Sequence, residues 1–225
     1  MDIAILLYDR LTALDAVGPY EVLSRLPDAS VTFVAEDPGP KRTDTGQLAL
    51  IADASLAELP RPEVVVVPGG PGRKALMGDG PVHDWLRTAD ERSIWTTSVC
   101  TGSLVLAAAG LLTEAGGHSP PASIPGSASK RATSHWLALD ELRGLGVDAV
   151  SERVVFDGKY VTAAGVSAGI DMALALAARI AGDQVAQAIQ LGIEYDPQPP
   201  FDAGSPERAP AAIVDALRAR RASFD

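Results

Sequence analysis

Val64-Val65-Val66-Val67-Pro68-Gly69-Gly70-Pro71-Gly72 places four β-branched residues directly before five that cannot continue a strand. A run of four valines has no polar alternation, so this strand has no solvent face and belongs inside a sheet covered on both sides. Around it, short apolar runs alternate with longer helical patterns, which is the signature of βαβ units and a parallel sheet. Ile3 to Tyr8 reads as a buried strand, Val31 to Ala35 as a second and Leu48 to Ile51 as a short edge piece. Gly18-Pro19 reads as the opening of a helix that runs to about Leu26, because proline suits a first helical turn. Ser93 to Val99 is a strand, Leu104 to Leu112 a helix, and Arg153 to Phe156 with Tyr160 to Ala164 a hairpin about Asp157-Gly158. Ala168 to Ile180, Val185 to Leu191 and Ala211 to Arg221 complete the helical layers. The fold class is α/β, a mostly parallel sheet sandwiched by helices.

The 225 residues are 47% hydrophobic and 21% charged, enough to bury one sizeable core and too apolar for a disordered chain. We read a single domain over residues 1–225, with a Gly/Pro/Ser-rich insertion near 115–130 and a Pro-rich tail plus helix over 194–225. Nineteen basic against 29 acidic residues give a net charge of −10, which disfavours nucleic acid as a partner. The apolar runs fall short of the roughly 20 residues that span a bilayer, so no membrane association is expected. The stretch Met1 to Leu7 starts acidic and is apolar too briefly for a signal peptide, and Cys100 is the only cysteine. These features point to the cytoplasm.

Ser98-Val99-Cys100-Thr101-Gly102-Ser103 joins a strand directly to a helix, with small residues about the cysteine. That is the pattern of a nucleophile elbow, which presents one side chain at the carboxyl end of a strand, where open α/β sheets bind ligands. The helix that follows would favour thiolate over thiol; a buried structural cysteine is the alternative. Gly69-Gly70 ends the valine strand on the same face, and the Gly70 amide with that of Thr101 would form an oxyanion-hole-like pair. Asp15 lies among apolar residues just past the first strand. It is either a helix N-cap or a buried acid whose raised pKa lets it pass a proton to and from the sulfur. Of three histidines, His83 lies in a helical pattern, His118 in the insertion, and His135, followed by Trp136, borders the pocket or packs at a helix start.

Taken together these residues resemble the DJ-1/PfpI superfamily, with an elbow cysteine (Cys100), an acid after the first strand (Asp15) and the Pro-Gly-Gly turn (Gly69-Gly70). The resemblance covers nearly the whole chain and implies a flavodoxin-like fold related to class I glutamine amidotransferases. Within the superfamily, the chain is most similar to the isocyanide hydratase group. The shared segments are Leu14-Asp15, Gly18-Pro19-Tyr20-Glu21-Val22, Ser98 to Leu104, Thr133-Ser134-His135-Trp136 and Glu194 to Phe201 with Gly204-Ser205-Pro206. Peptidases of the superfamily carry histidine directly after the cysteine, whereas Thr101 stands there in this chain, as in the hydratases.

The resemblance implies Cys100 as nucleophile, Asp15 as its acid partner and Thr101 as a hydrogen-bonding participant. The implied reaction turns an isocyanide and water into an N-substituted formamide through a thioimidate, with neither metal nor organic cofactor. It also implies a homodimer. Two features depart from the pattern: the 115–130 insertion replaces a tight turn, and Thr133-Ser134 replaces a pair of threonines. Two rival readings use the same residues. One is a glyoxalase or deglycase acting on α-oxoaldehydes. The other is a freestanding ligand-sensing module resembling the sensor domain of AraC-type regulators, without their helix-turn-helix region.

Overall fold

The valine run is the hinge of the architecture. A computed structural model describes residues 1–113 and 129–220. In chain order the first half holds β1 (Asp2–Leu6), α1 (Ala13–Leu23), β2 (Ser30–Ala35), β3 (Gly39–Arg42), β4 (Ala49–Ala52), β5 (Ala54–Ser55), β6 (Val64–Val67), α2 (Pro81–Asp90), β7 (Trp95–Val99) and α3 (Gly102–Ala108). The second half holds β8 (Arg131–Ala132), α4 (Leu139–Gly144), β9 (Asp148–Ala149), β10 (Val154–Asp157), β11 (Tyr160–Ala163), α5 (Ala168–Ala181), α6 (Asp183–Gly192) and α7 (Ala211–Ala219). Seven strands form the main sheet in the order β10-β11-β7-β6-β1-β2-β5. Every pairing is parallel except that of β10 with β11.

All four valines of β6 are fully buried, as the absence of alternation requires. Val64, Val65 and Val66 lie opposite Ile3, Ala4 and Ile5 on one side, and Val64 to Val67 lie opposite Trp95 to Ser98 on the other. Helices α1, α5 and α6 pack together as one group, and α2, α3 and α4 as another. Strand order reverses between β1 and β6, because the chain leaves β1 for β2 on one side and returns to β6 on the other. Such a switch point opens a crevice at the carboxyl ends of the strands.

Three local readings need correction. Helix α1 begins at Ala13, with extended Thr12 before it (φ −80°), so Pro19 sits inside the helix rather than at its start. Pro19 costs one backbone hydrogen bond, and the position is used for packing: a Cβ on Gly169 of α5 would come within 3.3 Å of the proline ring. The piece read as an edge strand, Leu48 to Ile51, is instead β4 of a separate antiparallel hairpin with β3. The outer strand of the main sheet beside β2 is β5. Helix α3 ends at Ala108, short of Leu112, since Gly110 takes a positive φ of 84° and turns the chain. His83, read in a helical pattern, lies in α2 and is buried, with its Nε2–H donating to the Leu76 carbonyl at 2.8 Å. The insertion and His118 lie outside the described residues, apart from the insertion's last two positions.

Candidate active site

The site is assembled where β1, β6, β7 and β11 end. Cys100 follows β7 and takes a left-handed conformation, φ 57°, which costs about 1–2 kcal/mol for a residue with a side chain. Four hydrogen bonds hold it there. Its N–H donates to the carbonyls of Ala163 (3.1 Å) and Ala164 (2.9 Å), and its carbonyl accepts from Ser103 Oγ (3.2 Å) and Ser134 Oγ (3.0 Å). The turn is possible only because Gly102 follows: a Cβ there would run into the carbonyl of Val67.

Asp15 lies in the first turn of α1, fully buried, and is not the cap. Its Oδ2 accepts from the Gly69 N–H at 2.9 Å, while Oδ1 has no partner of good geometry among the described residues. The Cys100 thiol is close enough to hydrogen-bond this carboxyl group. Burial pushes Asp15 up to about 7, against the Gly69 and Cys100 hydrogen bonds that favour its carboxylate, with the Asp44 charge adding to the rise.

Burial also pushes the Cys100 thiol up, and the Asp15 charge reinforces this. The sequence expectation of a resting thiolate is therefore corrected. The short α3 does not outweigh desolvation of a sulfur that keeps only 6% of its residue exposed, beside an acid. Three donors nonetheless converge on the sulfur and favour its anion: the N–H groups of Val166 and Thr101 and the Thr101 hydroxyl. The arrangement is a proton-sharing pair, a thiol beside a carboxyl group, with a cradle ready for the thiolate when the proton moves.

Thr101 precedes α3 and accepts the Gly70 N–H on Oγ1 at 3.0 Å, which leaves its hydroxyl hydrogen to point at sulfur. Gly70 is thereby corrected as an oxyanion donor. Its φ of 139° and the backbone of Arg10, Leu11 and Thr12 against it turn the amide to Thr101, not into the crevice. Gly69 is packed as tightly: a Cβ there would sit 2.5 Å from Thr101 N and 3.0 Å from Asp15 Oδ2.

His135 and Trp136 stand apart from this pair. His135 Nδ1 accepts from Leu137 N–H at 3.2 Å, and burial lowers its pKa, which keeps the ring neutral. The ring presses on Gly165, where a Cβ would lie 2.8 Å from Cδ2, and Trp136 packs at 5.9 Å from it, with the Arg218 guanidinium over the Trp136 ring. No hydrogen bond links either residue to Cys100 or Asp15 among the described residues.

Sequence reasoning missed two contributors. Val166 supplies an amide from a strained backbone (φ 26°), which no β-branched residue advertises in sequence. Tyr8, read only as the end of the first strand, donates its hydroxyl to the Pro68 carbonyl at 2.8 Å beneath the pair. Among the described residues no cluster of three His, Cys, Asp or Glu could hold a metal ion, and no helix is long and apolar enough to cross a membrane.

Comparison with known proteins matches residues 1–179 to the DJ-1/PfpI family. The chain is 44% identical over 222 residues to the isonitrile hydratase of Pseudomonas putida, covering 99% of this chain and 90% of that protein. It is 30% identical to the HTH-type transcriptional regulator CdhR of Pseudomonas aeruginosa over 68% of this chain, but spans only 41% of that protein. A crystal structure of a THiJ/PfpI family protein from Pseudomonas syringae superposes with a TM-score of 0.88 at 36% identity, covering 99% of this chain and 86% of the other. Drosophila melanogaster DJ-1beta shares the fold at a TM-score of 0.72 and 22% identity, covering 87% of this chain and 98% of that one.

Proposed function

The chain belongs to the DJ-1/PfpI family, and from that premise we propose that it is an isocyanide hydratase, a lyase that adds water to an isocyanide to give an N-substituted formamide. The observation that carries this reading is the pairing of Cys100 with Asp15, with Thr101 rather than histidine beside the sulfur. The likeness to the Pseudomonas putida protein over nearly the full chain supports it.

Asp15 as carboxylate takes the thiol proton while the sulfur attacks the terminal carbon of the isocyanide. The proton then passes from Asp15 to that carbon, and a thioimidate is bound to Cys100. Water adds to the same carbon; Asp15 accepts one of its protons and returns it to the imine nitrogen. The C–S bond then breaks as the C=O bond forms, and the hydroxyl proton travels through Asp15 back to sulfur. Every step is redox-neutral and moves protons only, which suits a soft nucleophile paired with an acid. The Val166 and Thr101 donors stabilise the sulfur whenever it is anionic, as attacking and as leaving group.

Cys100 keeps only 6% of its surface exposed, and a slim linear end such as the isocyanide carbon needs less room to reach it than a branched carbonyl carbon does. The test is formamide production from a simple alkyl isocyanide by the wild type and by Cys100→Ala. Loss of turnover in the variant supports the reading, and equal turnover overturns it. Faster conversion of methylglyoxal to lactate than of the isocyanide favours the glyoxalase alternative. The family likeness also supports a homodimer, to which the exposed Leu191 and Phe201 offer apolar surface; light scattering on the purified chain gives the mass. A thiol that must stay reduced suits the cytoplasm.

A further inference from the structure

Two buried hydrogen bonds meet on one peptide unit. The Tyr8 hydroxyl donates to the Pro68 carbonyl at 2.8 Å, and the next amide, Gly69 N–H, donates to Asp15 Oδ2 at 2.9 Å. Carbonyl and amide belong to the same resonance-coupled plane, so a donor on the oxygen draws density from nitrogen and makes the N–H a stronger donor. The unit cannot swing away, since Gly69 lies hard against Thr101 and Asp15. We propose that Tyr8 is a positioning residue of the Cys100–Asp15 pair: through the Pro68–Gly69 peptide it strengthens the hydrogen bond that holds Asp15 as carboxylate, and so sets how far the pair shifts toward thiolate.

The groups facing Asp15 are few. Cys100 and the Gly69 amide lie against it, and the Asp44 charge acts from the segment before β4. Asp44 itself accepts from Thr12 Oγ1 at 2.9 Å. Tyr8 feels Asp15, Cys100, Asp44 and the Arg73 guanidinium, and burial keeps its phenol protonated throughout the working range. Tyr8 therefore acts as a fixed donor and exchanges no proton with the site.

A distinctive pH signature follows. Above the point where the pair has lost one proton, the dominant form is thiol with carboxylate, and the reactive minor form is thiolate with carboxylic acid. Weakening the Gly69 donor destabilises only the carboxylate form. It raises the midpoint of the pair and raises the thiolate fraction above it, while the rate well below the midpoint stays the same. Loss of packing would instead change the rate at every pH.

The inference gains its meaning for turnover from the hydratase reading, but its test does not need an isocyanide. Cys100 is the only cysteine, so carbamidomethylation by iodoacetamide reports that sulfur alone. We expect the alkylation profile of Tyr8→Phe to coincide with wild type below about pH 6. Its midpoint, about 7 for Asp15 in the wild type, should rise by about 0.3–0.5 unit, with a plateau about two- to threefold higher. Site-specific 3-fluorotyrosine at position 8 keeps the ring and strengthens the donor, so it should move midpoint and plateau downward. This second protein decides the matter if Tyr8→Phe does not fold. Superimposable profiles, a uniform change at all pH values, or a fluorotyrosine shift in the same direction as Tyr8→Phe would overturn the proposal. Absence of isocyanide turnover alongside the expected alkylation shifts would remove the hydratase reading and leave this one standing.

Discussion

A carboxyl group sealed from water with one firm donor destabilises the fold whenever it is ionised, and Asp15 occupies that position. Its folded pKa is raised from 3.8 to about 7, so between those values the folded chain binds more protons than the unfolded one. Stability must then fall as pH rises through that window and level off above it, the reverse of the usual salt-bridged aspartate. The whole window is worth about 4 kcal/mol at 1.36 kcal/mol per unit. Asp15→Asn keeps an acceptor for Gly69 but brings an amide nitrogen of its own to satisfy, so roughly half of that gain should survive. We expect Asp15→Asn to be about 2 kcal/mol more stable than wild type at pH 8 and no more stable below about pH 4. Turnover should drop by about 10²–10⁴-fold, as loss of a general acid–base does. Urea unfolding at pH 4, 6 and 8 checks the first statement. A variant less stable than wild type at pH 8 would show that Asp15 serves folding, not the chemistry of Cys100.

At the scale of elements, β7 is fixed at both ends by different chemistry. Its carboxyl end carries the strained Cys100, and its start is clamped by Asp90 at the end of α2. Asp90 accepts from Thr96 Oγ1 (2.7 Å) and from Tyr160 OH (2.9 Å), and pairs with Lys159 at 3.1 Å. Removing the carboxylate takes the acceptor from the Tyr160 hydroxyl, while Thr96 keeps Ser93 and Lys159 keeps the Asp90 carbonyl, so Asp90→Ala should cost about 1–3 kcal/mol in urea unfolding. The network lies at the far end of the strand from Cys100, so kcat/KM per folded molecule should stay within twofold. A large loss of kcat/KM in a stably folded Asp90→Ala protein would mean that strand register, not local pinning, sets the elbow. Elements of this kind were largely legible: four valines announced the central strand, and Asp157-Gly158 announced the β10–β11 hairpin, with Gly158 at φ 60°. Pro19 misled because its cost is offset by a helix contact far along the chain, which local preference cannot see. The same reason hid half of the site. Cys100, Asp15 and Thr101 stand in recognisable local patterns, whereas the Val166 amide, the Tyr8 hydroxyl and the turn of Gly70 toward Thr101 exist only once distant strands are side by side.

Over the whole molecule, charge and chemistry agree. The net charge of −10 and a pI near 4.7 give a surface field that repels anions and attracts cations. Among the described residues, the groups that act on the sulfur are one acid, Asp15, two amides and a hydroxyl, and none of these is a cation. A neutral isocyanide is indifferent to such a field, so its encounter with Cys100 requires no steering. We expect kcat/KM for an uncharged alkyl isocyanide to change by less than about twofold between roughly 20 and 500 mM NaCl, a range over which the Debye length falls several-fold. An isocyanide bearing a carboxylate should react more slowly at low salt and accelerate as salt screens the repulsion. Stopped-assay rates for the two probes, side by side in the same buffers, separate surface field from chemistry, because the reacting carbon is the same in both. A neutral probe whose rate follows salt as steeply as the charged one would place the rate-limiting event in a change of the protein's own charged surface, and the sulfur would then be waiting on a motion rather than on its substrate.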